Sequence, residues 1–185
     1  MLARGSPEAS EHLLYEVERL EELVHLIAAH TKEGATRDAL IESFLVHARL
    51  IAQFLDWHRS PPWPDDMLAE HFVRWTANPP PPTITRATID GINKRVAHLS
   101  YAREHASAGG DTWAFSGIAK PLLERVGEFV CAAMSAKPYP LSAGWNDWAR
   151  RHHVGPGPRG PFKHTIPDGV AGATGPGAPA SSGKS

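Results

Sequence analysis

A short polar run between positions 93 and 100 carries the residue types best suited to chemistry. It contains Asn93, Lys94, Arg95 and His98, with apolar residues between them. On a helix, positions three and four apart share a face, so Lys94, Arg95 and His98 are expected along one flank. A basic cluster with an imidazole can bind a phosphodiester and transfer a proton. The alternative is a solvated flank in which His98 bonds to a neighbouring helix.

A second group of polar residues lies between positions 42 and 49. Glu42 and Arg49 are seven residues apart on one flank, and His47 is expected on the opposite flank of the same apolar stripe. Such groups usually join helices through hydrogen bonds or ion pairs. The more specific, functional alternative is that a carboxylate in this group orients an imidazole on a facing helix. We therefore take all three as candidate binding residues, together with Asn93 and Lys94.

The eleven histidines raise the question of a metal site. Helical bundles hold metals between facing helices, and His25, His47 and His98 could converge in this way. The sequence contains no HExxH motif, no phosphate-binding GxxxxGK[ST] loop and no GxGxxG motif. Neither a metal site nor a cofactor is predicted, and a metal-dependent bundle enzyme stays the third of three functional hypotheses.

Composition excludes several classes of protein. Nineteen Lys and Arg against twenty Asp and Glu give the 185 residues a formal charge of −1, which argues against a polybasic membrane anchor. The single cysteine, Cys131, excludes an intrachain disulfide framework. No apolar stretch approaches the length of a membrane span. These features predict a globular cytoplasmic protein without a membrane partner.

The elements that must position these residues are helices, because apolar residues recur with a helical period between proline and glycine breaks. The prediction is an all-α bundle of four long helices with short accessory helices. The first long helix is predicted to begin at Ser6 and Pro7, and the second to run from about Thr36 to His58. The third follows the four prolines at 79–82 and is capped by Thr85 or Thr88. The fourth runs from about Ser116 to Ala136. The short helices are one after Pro64 and one containing Trp145 and Trp148. Pro121 is expected in or near a first helical turn.

The last part of the chain differs in composition from the rest. Residues 154–185 hold eight glycines and six prolines among thirty-two positions. Such a segment buries too little apolar surface to offset its ordering entropy. We therefore predict a helical domain over 1–153 and a disordered tail over 154–185.

The run from Asn93 to His98, inside a late helix of a bundle, resembles the signature helix of HEPN-like domains. The resemblance covers residues 8–136 and implies an all-α, usually dimeric module from toxin–antitoxin or abortive-infection systems. Many such domains are metal-independent ribonucleases. In them an arginine stabilises the phosphate, and a histidine a few residues later assists attack by the 2′-hydroxyl.

The chain departs from that pattern at the arginine. With His98 as the family histidine, the arginine belongs at 93, 92 or 91, where this sequence has Asn93, Ile92 and Gly91. Losing it removes the main charge that would stabilise the transition state. The leading hypothesis is therefore a non-catalytic or regulatory binding module, a homodimer or the ligand of a partner protein. The alternative is an endoribonuclease that acts on RNA with His98 and Arg95 as catalytic residues.

Overall fold

The computed structural model describes residues 5–56, 63–74, 83–93, 112–113, 115–155 and 173–174. Within these ranges the protein is built from helices, which confirms the all-α prediction. A pair of two-residue strands is the exception: β1 (Thr112–Trp113) is antiparallel to β2 (Ala173–Thr174). No helix in the described part of the chain is long and apolar enough to cross a membrane.

Two long helices form one half of the bundle. α1 (Pro7–Ala29) begins where the sequence predicts, because the Ser6 hydroxyl accepts a hydrogen bond from the Ala9 N–H at 3.2 Å and proline occupies the first turn. α2 (Ala35–Leu55) packs along α1. Their buried residues recur with the helical period that the sequence predicts, and Phe44 is completely buried.

The next two elements are shorter than predicted where the structure describes them. The short helix expected after Pro64 is a single 3₁₀ turn, Ala69–His71. α3 (Arg86–Ile92) begins at the predicted cap, since the Thr85 hydroxyl accepts from the Thr88 N–H at 3.1 Å. The predicted continuation of this helix lies outside the described residues.

The second half of the bundle is α4 (Phe115–Met134) and α5 (Gly144–Arg151). Pro121 lies in the second turn of α4, next to the first turn, which agrees with the expectation. The turn tolerates it because Gly117, whose carbonyl loses its i+4 donor, is exposed and can be solvated. α5 closes one end of the core with Trp145 and Trp148, both completely buried.

Aromatic rings connect these elements at the centre of the protein. Phe44 of α2 meets Phe115 of α4 edge to face, with ring centroids 5.1 Å apart. Phe54 and Phe129 make the same contact, also at 5.1 Å, and the Phe129 ring lies 6.5 Å from that of Trp145. This geometry adds to the burial energy of each ring.

The helical domain extends slightly past the predicted boundary at residue 153. The Val154 N–H donates to the Ala149 carbonyl at 2.9 Å, and the Val154 side chain packs on the core. The Cys131 thiol contacts the Gly155 carbonyl at 3.4 Å. Beyond these contacts, Ala173–Thr174 within the predicted tail pairs with Thr112–Trp113. Most of the segment predicted to be disordered lies outside the described residues.

Candidate functional site

The structure describes only part of the predicted site. Lys94, Arg95 and His98 lie outside the described residues. Asn93 ends α3, and its side-chain oxygen is buried with no hydrogen-bond partner among the described residues. Arg49 is half-buried on α2, and its Nε likewise has no partner in the described part of the chain. Whether these residues meet the catalytic candidates therefore stays a prediction.

The clearest polar contact on the helix pair joins His47 of α2 to Glu16 of α1. The imidazole Nδ1 and the Glu16 Oε2 are 2.5 Å apart, and the two side chains are 15% and 22% exposed. Sequence analysis singled out His47 but not Glu16. The arrangement differs from the predicted alternative, in which a carboxylate orients an imidazole on a facing helix: here α2 supplies the imidazole and α1 the carboxylate. With Nδ1 engaged, Nε2 is the remaining ring nitrogen for an outside partner.

Aromatic and cationic side chains surround this pair. The Tyr15 ring lies edge-on to the His47 ring, with centroids 6.1 Å apart, and the Arg19 guanidinium is 5.5 Å from the centre of the Tyr15 ring. Hydrogen bonding to the Tyr15 side chain, followed by that to Glu22, raises the pKa of Arg19 above its ordinary value. Arg19 also forms an ion pair with Glu22. These contacts hold Tyr15 and Arg19 beside His47.

Exposed apolar side chains concentrate at the same place. Tyr15, Val46 and Leu50 are 53%, 40% and 42% exposed. Val46 and Leu50 are four residues apart, so they lie one turn apart on the solvent side of α2, and Leu50 is one turn after His47. We call Tyr15, Arg19, Val46, His47 and Leu50 the outer face. Among the described residues the fourth large exposed apolar side chain, Trp63, follows the end of α2.

A second histidine–glutamate contact joins α5 to α1 on the other side of α1. Glu21 Oε1 accepts from the Trp148 Nε1–H at 3.3 Å, and it lies 3.1 Å from His152 Nε2. The His152 ring is tilted over the Trp148 ring at 4.4 Å. Arg151 adds an ion pair with Glu18 at 2.6 Å. The Glu21 and His152 side chains are mostly buried and contact each other. This cluster therefore stabilises the packing of α5 against α1.

A buried charged cluster joins α2, α4 and the residues before α3. Asp56 accepts from the Thr83 N–H at 2.6 Å and lies 3.8 Å from Arg125 Nε. Arg125 also donates to Glu128 at 2.6 Å. The Asp56 and Arg125 side chains are 8% and 10% exposed. This cluster was not predicted from the sequence. The helical period shows that Arg125 lies on a helix, but it does not show that Asp56 is its partner. Its burial favours a structural role.

Metal ligands do not gather within the described residues, where no group of three or more His, Cys, Asp or Glu side chains could hold an ion. His25 is exposed on α1. His98, which was considered together with His25 and His47 as a possible metal ligand, lies outside the described residues.

Comparison with known proteins returns no relative. No protein-family model, no curated protein and no solved structure matches this chain.

Proposed function

We propose that this protein is a non-catalytic helical binding module that forms a homodimer through its outer face. One observation carries the proposal: three large exposed apolar side chains lie on the two helices that hold the mostly buried His47, with Tyr15 of α1 beside its ring and Val46 and Leu50 one turn apart on α2. Tyrosine and arginine are the residue types most often dominant in protein interfaces, and the outer face presents one of each. Apolar side chains grouped in this way mark association surfaces more often than scattered ones do.

The size of the helix pair supports a second copy of the chain as the partner. α1 has 23 residues, so it is about 35 Å long. Two packed helices together are about 20 Å wide. A face of these dimensions covers about 700 Å² per protomer, or about 1,400 Å² in a dimer, which falls within the range of stable interfaces.

The charges on this side of the protein also suit a two-fold arrangement. In such an interface one surface meets itself, so it must carry complementary groups. Arg19 provides a cation, and Glu16 and Glu22 provide anions within one turn of it on α1. A two-fold axis through the middle of the pair can therefore set the arginine of one copy against a carboxylate of the other.

The resemblance to HEPN-like domains leads to the same proposal independently. It implies a dimeric module in a defence or toxin–antitoxin setting, and Asn93 at a position where the family has arginine argues against catalysis. Cleavage of RNA by His98 and Arg95 is the alternative that this proposal replaces.

Sedimentation equilibrium of the full chain tests the proposal. The wild type is expected at twice its 20.1 kDa chain mass, and Leu50→Glu at the monomer mass, because a charge would be buried in the interface. Trp63→Glu is the matched control, since it places the same charge at an exposed apolar site beyond α2 and should leave the dimer intact. Helical circular dichroism verifies the fold of each variant. A wild-type monomer, or a dimer of Leu50→Glu, would overturn the proposal.

A further inference from the structure

We propose that the two copies of α2 meet in antiparallel directions, with Val46 next to the two-fold axis and an ion pair between Glu42 of each copy and the partner's Arg49. The inference rests on the homodimer proposed above and adds the register of its interface. It follows from the order of three side chains on the solvent side of α2. An acid, an apolar residue and a base follow one another there, each one helical turn from the next.

Glu42 and Arg49 lie on the same flank of α2. They are seven residues apart, which on an α-helix places them about 20° from each other around the axis. Both are half-buried, whereas Val46 between them is 40% exposed. His47 marks the opposite flank, because its contact with Glu16 turns that side of α2 toward α1. The two charges therefore border the outer face on the side away from α1.

The order of these charges selects the direction of the partner helix. A two-fold axis that lies in the interface and crosses α2 at right angles reverses the helix direction and sets each flank beside the same flank of the partner. Glu42 and Arg49 lie about 5 Å on either side of a midpoint next to Val46. Rotation about an axis at that midpoint brings each glutamate level with the partner's arginine. An axis parallel to α2 would place the two charged flanks at opposite edges of the interface, where they do not meet.

The chemistry of both side chains suits this contact. The Nε of Arg49 has no hydrogen-bond partner among the described residues, and the planar guanidinium matches a carboxylate. A carboxylate has about four acceptor sites, so Glu42 can accept from the partner's Arg49 alongside contacts within its own chain. Charged residues that flank the apolar seam of packed helices set the orientation of the partner helix.

Symmetry doubles the effect of each substitution at this interface. A partly exposed ion pair contributes modestly to binding, and like charges in its place repel each other. One substitution in the chain changes two equivalent contacts in the dimer. Reversing either charge should therefore raise the dimer dissociation constant about ten- to a hundred-fold.

Charge reversal tests the register by sedimentation equilibrium of the full chain. Glu42→Arg alone and Arg49→Glu alone should each show the weakened dimer, because like charges then face each other in both contacts. An equimolar mixture of the two variants should regain the wild-type affinity, because arginine of one copy then meets glutamate of the other in both contacts. A merely structural role of either residue does not produce this rescue. Lys120→Glu and Glu124→Arg are the matched controls, since they reverse exposed charges on α4 and should leave the dimer intact.

Neutral variants guard against reversals that fail to fold. Glu42→Gln and Arg49→Gln should each weaken the dimer about three- to ten-fold. The double variant should be no weaker than either single one, because each substitution removes the same two ion pairs. Wild-type affinity in a reversed variant, a folded mixture that does not regain the dimer, or additive effects of the two glutamine substitutions would overturn the register while leaving the homodimer standing. A monomeric wild type would overturn both.

Discussion

Replacing Phe44 with alanine tests the packing that positions α1 and α2. The Phe44 side chain is completely buried, and its ring meets the Phe115 ring at 5.1 Å in an edge-to-face contact. Truncating a buried phenylalanine costs about 3–5 kcal/mol, part of it from the cavity that remains. For a domain of this size each kcal/mol lowers Tm by about 2–4 °C, so Phe44→Ala should lower the Tm by about 6–20 °C.

Urea denaturation followed by circular dichroism measures this loss. Trp63→Ala is the matched control, because it removes an aromatic ring that is 57% exposed and should change the free energy of unfolding by less than about 1 kcal/mol. A double-mutant cycle with Phe115→Ala should give a coupling of about 0.5–1.5 kcal/mol between the two rings. If Phe44→Ala unfolds within about 1 kcal/mol of the wild type, the helix faces described above are misassigned.

Three further outcomes are expected. Tyr139→Phe should match or exceed the wild type in stability at pH 7, because the Tyr139 hydroxyl is buried with no hydrogen-bond partner among the described residues. Burial also raises the Tyr139 pKa above its ordinary value of 10.0, so the folded state holds that proton more tightly than the unfolded state. The stability of the wild type should therefore fall as the pH rises past about 10. Thermal melts at pH 9 and 11 should show a smaller fall in Tm for Tyr139→Phe. A chain ending at Gly155 should melt several degrees above one ending at Arg151, since the shorter chain lacks the imidazole that contacts α1 and the valine that packs on the core. Purified protein should not cleave RNA, and metal-free cleavage leaving 2′,3′-cyclic phosphate ends, lost separately in His98→Ala and Arg95→Ala, would contradict that expectation.

The helices were largely predictable because their signals are local. The stripe on α1 and its Ser6 cap depend on residues within a few turns of one another, and both appear as expected. The start of α4 is local too: the helix begins at Phe115, one residue before the predicted start.

The pairing of polar groups was not predictable, because it depends on which helices face each other. His47 stood out as a polar residue beside an apolar stripe, but five other glutamates of α1 compete with Glu16 on sequence alone. The Asp56–Arg125 contact was not predictable for the same reason, since it joins residues that are far apart in the chain. Local periodicity gives the face of each helix, and only packing gives the partner.

Intermolecular distance measurement by spin labelling tests the central claim most directly. Cys131 is the single cysteine, so Cys131→Ser provides a background in which a label can be placed at Val46→Cys or, as a control, at Trp63→Cys. The proposed dimer predicts a clear dipolar distance between two copies labelled at position 46, shorter than the distance at position 63. Absence of intermolecular coupling at both positions, or a shorter distance at position 63, would contradict a dimer formed through the outer face.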